Sequence, residues 1–187
     1  MARVFVITGP SGVGKGTLIR LLGERVEDLA LSVSATTRAP RPGEENGVDY
    51  HFLSDNEFAR RVDAGEFVEW AQYSGRRYGT LRSELQRHLD AGNPVVLEIE
   101  LQGARQVRKA MPEAVQIFIE PPDEEALKDR LVGRGTDEPE EVERRLAVAR
   151  EEMAAAGEFQ YRVCNDRLDE AVARLVGIVT GAVHSDP

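Results

Sequence analysis

The sequence of 187 residues contains little cysteine and histidine, and it has no apolar run long enough to cross a membrane. Its single cysteine, Cys164, cannot form an internal disulfide, which is typical of a protein in the reducing cytoplasm. We expect Cys164 to be a small buried hydrophobic residue. The first apolar run covers only residues 4–7, so we predict a cytoplasmic protein with no membrane partner. No metal site is predicted from the histidines, which are scattered at His51, His88 and His184.

Positive charge is also scarce, with 24 Lys and Arg against 33 Asp and Glu and a formal net charge of -9. This balance argues against nucleic acid as a partner, because a phosphate backbone binds proteins through clustered basic residues. An acidic protein can still keep one cationic pocket for a small anion, so the distribution of charge matters more than its sum. The composition, 41% hydrophobic and 30% charged, is that of one ordinary globular core with small insertions.

Short β-rich runs alternate with amphipathic stretches along most of the chain. Buried strands are predicted at residues 4–8, 95–99 and 115–119. Helices are predicted at residues 17–26, 102–110, 124–132, 140–155 and 170–179. Strands that alternate with helices favour an α/β fold, in which a mostly parallel sheet carries helices on both faces.

Two segments depart from this alternation. Residues 31–87 contain a turn rich in proline and glycine at residues 39–43 and aromatic-containing runs such as residues 67–70. We predict a mainly antiparallel insertion there. Residues 123–152 are dense in both arginines and acidic residues, which is typical of a solvated, mobile helical flap.

The strongest local motif is Gly-Pro-Ser-Gly-Val-Gly-Lys at residues 9–15, between a predicted strand and a predicted helix. Glycines let consecutive backbone N–H groups surround phosphate oxygens, and the N-terminus of the following helix adds a positive dipole. Lys15 supplies a point charge to the outer phosphates. The loop alone is compatible with GTPases, ATPases, transporters and small-molecule kinases. The expected nucleotide-binding residues are Gly9, Pro10, Ser11, Gly12, Val13, Gly14, Lys15, Gly16 and Thr17.

The position after Lys15 departs from the common pattern, which has Ser or Thr there to bind magnesium. This sequence has Gly16 and then Thr17. We therefore expect Mg²⁺ to be held mainly by nucleotide phosphates and water. Thr17 can still donate a hydrogen bond to a phosphate.

A second anion site is indicated within residues 31–87. Arg38 and Arg41 lie close together in a turn stiffened by prolines, and Tyr50 and Tyr78 follow. Planar guanidinium groups and tyrosine hydroxyls suit a phosphate dianion, which arginine can bind through two parallel hydrogen bonds. A solvated surface turn is the alternative interpretation of the arginine pair.

Together these motifs resemble guanylate kinase, of the bacterial type, within the nucleoside monophosphate kinases. The resemblance runs from residue 4 to residue 175. It implies an enzyme that transfers the γ-phosphoryl group of ATP to GMP and dGMP, with Mg²⁺ accompanying ATP. The motifs that carry it are residues 9–17, residues 32–52, Glu69-Trp70, Tyr78-Gly79, Gln102-Gly103 and residues 133–136.

The resemblance also implies a division of the chain. A phosphate-loop core, with a five-stranded parallel sheet flanked by helices, comprises residues 1–32, 88–123 and 153–187. Residues 33–87 form the GMP-binding subdomain, a mixed or antiparallel insertion. Residues 124–152 form a small helical lid that closes over ATP.

Site residues follow from the same resemblance. No general base is expected, because the nucleophile is an anionic phosphate oxygen. Arg134 and Asn165 join the phosphate loop in binding ATP. Arg130 is left out, because an ordinary ion pair on the helix surface accounts for it. The catalytic residues are Lys15, Arg38, Arg134 and Arg145. The GMP-binding residues are Ser34, Arg38, Arg41, Tyr50, Glu69, Tyr78, Thr80 and Glu100.

Guanine preference follows from hydrogen-bond polarity. N1–H and the 2-amino group of guanine are donors, whereas N1 of adenine is an acceptor, so a carboxylate favours guanine. Glu69 lies in an alternating run and can point away from the side occupied by Val68. The family usually has aspartate at position 100, so the longer Glu100 is expected to weaken affinity or alter discrimination. Glu98 is a candidate outer partner for magnesium-bound water.

Two alternatives stay open from the sequence. Scaffold domains that resemble guanylate kinase keep the fold but bind protein motifs; the intact phosphate loop and lid arginines argue against this, as does the lack of proline at Ala35. The second alternative is a monophosphate kinase that accepts AMP, UMP or a modified nucleotide, since Glu100 departs from the usual aspartate. The sequence does not predict the oligomeric state.

Overall fold

The computed structural model describes residues 3–73, 75–132 and 139–184. The strands are β1 Val4–Thr8, β2 Ala30–Leu31, β3 Ala35–Thr36, β4 His51–Phe52, β5 Phe67–Tyr73, β6 Arg76–Leu81, β7 Val95–Glu98, β8 Val115–Glu120 and β9 Tyr161–Cys164. The helices are α1 Lys15–Gly23, α2 Asp55–Asp63, α3 Arg82–Asp90, α4 Leu101–Ala110, α5 Glu124–Val132, α6 Pro139–Ala154 and α7 Leu168–His184. Among the described residues, none of these helices is long and apolar enough to span a bilayer.

The larger sheet has five parallel strands in the order β2-β7-β1-β8-β9. Ala30 pairs with Val95 at one edge, and Ile117 pairs with Tyr161 at the other. All five residues of β1 are buried, as are the first five of β8, because a parallel sheet covered by helices has no solvent face. The predicted α/β fold with a five-stranded parallel sheet flanked by helices is confirmed.

The chain divides into two compact units, Met1–Val6 with Asp28–Ala114 and Ile7–Glu27 with Val115–Pro187. The boundary runs through β1. The predicted division into core, GMP-binding subdomain and lid stays a prediction, and each unit is described by itself below.

The first unit contains a second sheet, of four strands in the order β4-β3-β6-β5. The β3–β4 pair is parallel and the other two pairs are antiparallel, so the predicted mixed insertion is confirmed. Its own small core comprises Ala35, Phe58, Phe67 and Leu81. The helix α2 was not predicted, although Ser54 and Glu57 carry a helix-start signal: the Ser54 side chain accepts a hydrogen bond from the Glu57 N–H.

The second unit contains the charged segment that was predicted as a solvated flap. Its helices α5 and α6 bury apolar side chains, including Leu127 and Leu146 at 2% exposure each. The segment is therefore more packed than its charge density indicates, since a narrow apolar stripe is enough to anchor a helix. Cys164 is exposed, so the prediction of a buried thiol was wrong. On β9 it points opposite to the buried Val163, as alternation along a strand requires.

Candidate active site

In the second unit, residues 9–14 join β1 to α1 and contain the predicted phosphate loop. Gly14 caps α1 with φ 98°, a left-handed conformation that side chains rarely adopt. A Cβ atom there would also lie 2.7 Å from Asn165 Nδ2. Both the backbone angle and the close neighbour therefore require glycine at the residue where the loop enters the helix.

The carbonyl of Val13 is held by two side chains from distant parts of the sequence. Asn165 Nδ2 donates to Val13 O at 2.8 Å, and Arg130 Nη1 donates to the same oxygen at 3.2 Å. Arg130 Nη2 also donates to the carbonyl of Asn165 at 2.8 Å. Sequence reasoning missed this role of Arg130, because its partners are 117 and 35 residues away and no local pattern marks them.

Two predicted catalytic side chains contact the loop directly. Lys15 Nζ donates to the carbonyl of Gly9 at 2.5 Å, and Arg145 Nη2 donates to Ser11 Oγ at 2.7 Å. Arg145 comes from α6, so the charged segment brings one of its predicted arginines to the loop. Gly16 and Thr17 are exposed in the first turn of α1. Arg134 and the motif at residues 133–136 lie outside the described residues.

The first unit contains a pocket of about 310 Å³. This volume is at the lower end of the range for small-molecule sites. The predicted residues Arg38, Arg41 and Thr80 are not part of its lining. The predicted site residues that line it are Ser34, Tyr50, Glu69, Tyr78, Glu98 and Glu100.

Glu69 is the most deeply buried acidic residue of this pocket, with 4% exposure. Thr80 Oγ1 donates to Glu69 Oε1 at 2.8 Å, and Thr80 is itself fully buried. Burial raises the pKa of Glu69 to about 7, with the hydrogen bonds from Thr80 opposing the change and the charge of Glu100 adding to it. The site therefore keeps a carboxyl group that is ready to accept hydrogen bonds but is costly to ionise when nothing donates to it.

The helix α4 supports Glu69 in two ways that sequence reasoning did not identify. A Cβ atom on Gly103 would clash with Glu69 Oε2, so a larger residue there would require this carboxylate to shift. The side chain of Gln106 pairs with both backbone groups of Trp70: it accepts from Trp70 N at 3.2 Å and donates to Trp70 O at 2.7 Å. Since β5 is an edge strand, Gln106 supplies the pairing that a further strand would provide.

Arg38 lies in a polar cluster at the proline-rich turn. Its Nη1 and Nη2 donate to the two carboxylate oxygens of Glu44 at 2.9 and 2.8 Å, and its guanidinium carbon lies 5.3 Å from the centroid of the Tyr50 ring. The hydrogen bonds to Glu44 raise the pKa of Arg38. Burial raises the pKa of Tyr50, so its hydroxyl is a hydrogen-bond donor at neutral pH. Tyr50 and Tyr78 meet edge to face, with ring centroids 6.1 Å apart.

The two carboxylates at the end of β7 lie in different environments. Glu98 is the exposed last residue of the strand, and Glu100 is the N-cap residue of α4. Within residues 3–73, 75–132 and 139–184, no group of three His, Cys, Asp or Glu side chains is arranged to hold a metal ion.

Comparison with known proteins agrees with these features. A family model described as guanylate kinase matches residues 1–181. The chain is 54% identical over 177 residues to a guanylate kinase of Frankia casuarinae, covering 95% of this chain and 96% of the relative. It is 52% identical over 183 residues to one of Mycobacterium leprae, covering 97% and 87%. A crystal structure of guanylate kinase from Anaplasma phagocytophilum superposes with a TM-score of 0.76 and 32% identity, covering 96% of this chain and 85% of that one. The chain belongs to the guanylate kinase family.

Proposed function

We propose that this protein transfers the γ-phosphoryl group of ATP to GMP, and to dGMP, giving ADP and GDP or dGDP. The observation that carries the proposal is the buried carboxyl group of Glu69, which lines a pocket of about 310 Å³ together with Glu100. The phosphate loop that ends in Lys15 supplies the donor side.

Glu69 and Glu100 select guanine in this proposal. The N1–H and 2-amino groups of guanine donate to the carboxylates, whereas adenine would set its N1 acceptor against them. Thr80 acts chiefly on Glu69, since its hydroxyl donates to Oε1 and leaves Oε2 for the base. The predicted direct contact of Thr80 with guanine stays a prediction.

The phosphate of GMP binds to Ser34, Tyr50 and Tyr78, with Arg38 and Arg41 adding positive charge. Arg38 already has both terminal guanidinium nitrogens, Nη1 and Nη2, on the carboxylate of Glu44, the geometry in which it would bind a phosphate. A dianionic phosphate is a stronger partner than one carboxylate, so we expect Arg38 to share or exchange Glu44 on binding GMP.

Transfer needs positioning and charge neutralisation more than acid–base chemistry. An oxygen of the GMP phosphate attacks the γ-phosphorus of ATP in line, the bond from that phosphorus to the β,γ-bridging oxygen breaks, and ADP leaves with the electron pair. Lys15, Arg38, Arg134 and Arg145 would offset the charge on the moving group. Asn165 assists from the ATP side by holding Val13 O.

Magnesium enters as part of the substrate, bound to ATP. Gly16 offers no side-chain oxygen where the common loop has a hydroxyl, so phosphates and water supply most of the ligands in this proposal. Glu98 stays a candidate for hydrogen bonds to magnesium-bound water.

The test is formation of ADP from ATP·Mg with GMP, dGMP, IMP, AMP or UMP as the acceptor. Strong turnover with GMP and dGMP, and little with AMP or UMP, is expected. IMP, which lacks the 2-amino group, reports whether Glu100 reads that group. A Lys15→Ala protein purified in the same way detects contaminating host kinases.

Other outcomes point to the alternatives. Turnover with AMP or UMP in place of GMP would establish another acceptor. A folded protein that turns over none of the five would contradict the enzyme proposal and favour the scaffold alternative. A cytoplasmic location stays a prediction.

A further inference from the structure

Glu84, on α3, is a buried acid outside the predicted site, with 7% exposure. Its Oε1 accepts from Arg87 Nη2 at 2.8 Å and lies 3.2 Å from His88 Nε2. Its Oε2 lies 3.6 Å from His51 Nε2. Burial raises the pKa of Glu84, but His88, Arg87 and the nearby backbone N–H of Val33 outweigh this effect and lower it. One buried side chain therefore joins α3, β4 and the segment before β3.

Two of these partners are the chain neighbours of predicted phosphate-binding residues. Val33 precedes Ser34, and His51 follows Tyr50. Ser34 and Tyr50 both line the pocket. The His51 N–H donates to the carbonyl of Ser34 at 2.9 Å, so the two segments are also joined by their backbones. The distance between Ser34 and Tyr50 therefore depends on β4 and residues 33–34 keeping their register.

Glu84 supplies side-chain contacts on both sides of that backbone link. Among the described residues, His51 Nε2 is buried without a hydrogen-bond partner, and Glu84 Oε2 is the acidic atom beside it. Loss of the carboxylate would leave the Val33 N–H without its acceptor and His51 without this neighbour. The segment of Val33 would then shift to find another acceptor, because an N–H without a partner is costly, and β4 would lose the contact that His51 makes with Glu84.

We propose that Glu84 is a positioning residue for the acceptor phosphate site. It holds the segments that carry Ser34 and Tyr50 at the spacing that one phosphate group requires. The inference rests on the proposed function, since it concerns how that function binds the phosphate of GMP.

A metal site at the same cluster is a weaker interpretation. Two histidines and a glutamate are suitable ligands, but Arg87 already occupies Glu84 Oε1, and its Nη2 lies 3.4 Å from His88 Nε2. A divalent cation would therefore lie beside a fixed positive charge. The Glu84 carboxylate, with its charge balanced by Arg87, is therefore better suited to a structural role.

The test compares Glu84→Ala and Glu84→Gln with Glu57→Ala. Glu57, on α2 of the same unit, also pairs with two basic side chains, Arg60 and Arg61, but does not line the pocket. We expect Glu84→Ala to raise KM for GMP about tenfold, the scale of one lost buried hydrogen-bond partner. Glu84→Gln keeps an acceptor for Val33 and is expected to stay within about threefold of wild type. Glu57→Ala is expected to match wild type.

Three further readouts separate positioning from a general structural role. KM for ATP, kcat and the inhibition constant of guanosine, which has the base but no phosphate, are expected to stay near wild type in Glu84→Ala. An unchanged KM for GMP would overturn the proposal. It would also be overturned if guanosine binding weakened as much as GMP binding, because the whole insertion would then be affected.

A variant with a smaller perturbation covers the case in which Glu84→Ala does not fold. His51→Ala removes the imidazole that lies 3.6 Å from Glu84 Oε2 and leaves the backbone hydrogen bond to Ser34 in place. We expect it to raise KM for GMP about threefold without changing guanosine inhibition, and no change in KM would overturn the proposal. Failure of the proposed function is distinct, since the wild-type protein would then form no ADP with GMP.

Discussion

The loop at residues 9–15 in the second unit and the pocket around Glu69 in the first unit are built differently. The loop takes its shape from consecutive residues, and the side chains that support it act on backbone carbonyls such as Val13 O. The pocket depends chiefly on side-chain contacts between residues that are far apart in the sequence. Glu69 accepts from Thr80, eleven residues away, and a Cβ atom on Gly103 would meet its carboxylate.

This difference determines how each region tolerates change. Backbone N–H groups bind phosphate regardless of most side chains, so the loop depends chiefly on its glycines and Lys15. The pocket depends on the identity of several residues that are far apart in the chain. We therefore expect loop variants to lose turnover with any acceptor, and pocket variants to lose recognition of guanine in particular.

The largest effect is expected at Lys15. Lys15→Ala should lower kcat about 1,000-fold with every acceptor, because a charge aimed at the transferred group is missing. Steady-state ADP formation measures it, and thermal unfolding checks the fold. Lys109→Ala, an exposed lysine on α4, is the matched control and should behave as wild type. A Lys15→Ala enzyme with more than about a tenth of wild-type kcat would remove this residue from the catalytic set.

Substitution of Glu69 is expected to lower activity with guanine nucleotides specifically. Glu69→Gln should lower kcat/KM for GMP about 100-fold, because the amide sets a donor against the donors of guanine. KM for ATP should stay near wild type, and the preference for GMP over AMP should shrink. Glu66→Gln, at the start of the same strand region, is the control. An equal loss with GMP and AMP would show that Glu69 does not read the base.

Glu69→Gln should lower activity with GMP, but it should raise the free energy of unfolding at high pH. The pKa of Glu69 is raised from 4.5 to about 7 by burial, so its contribution is fully present below pH 4.5 and is lost as pH rises through 7. Between these two pH values the free energy of unfolding of the wild-type protein should fall by up to about 3 kcal/mol. That of Glu69→Gln should not fall for this reason, because glutamine does not titrate. Urea unfolding should find Glu69→Gln more stable than wild type at pH 8, with this advantage absent at pH 4.5. The same advantage at both pH values would contradict the titration.

The fold and the loop could be predicted because their signals are local. The run at residues 4–8 and the motif at residues 9–15 each contain the physical reason for their structure, namely β-branched apolar residues and glycines before a lysine. The prediction that Cys164 is buried was wrong for an equally local reason, because it did not take account of the alternation of buried and exposed residues along β9.

Most of the pocket's support could not be predicted, because it depends on distant pairs. Glu69 and Glu100 were named through family resemblance, but nothing near Gly103 or Gln106 indicates that they shape Glu69 and its strand. Glu84 has the same property: its partners are on α3, on β4 and at Val33. A single sequence gives no sign of such pairs, whereas folding brings them into contact.

A smaller effect on the pocket is expected from Gly103→Ala. The added Cβ atom would displace the Glu69 carboxylate, and KM for GMP should rise about tenfold with kcat for saturating GMP largely kept. Gly177→Ala is the matched control, because it also adds a methyl group within a helix but meets no atom within 4 Å. Both variants gain helix propensity of up to about 1 kcal/mol, so stability alone cannot separate them. Equal KM values would mean that Glu69 has room to move.

The smallest effect is expected at Asn165, on the loop side of the comparison. Asn165→Ala removes the hydrogen bond to Val13 O but leaves the one from Arg130, so the carbonyl keeps a donor. We expect KM for ATP to rise about fivefold, near the lower limit for a buried hydrogen bond, with KM for GMP unchanged. Asn56→Ala, an exposed residue of α2, serves as the control. A large rise in KM for GMP would contradict the separation of the two sites. No change in KM for ATP would instead show that Arg130 alone keeps the loop in shape.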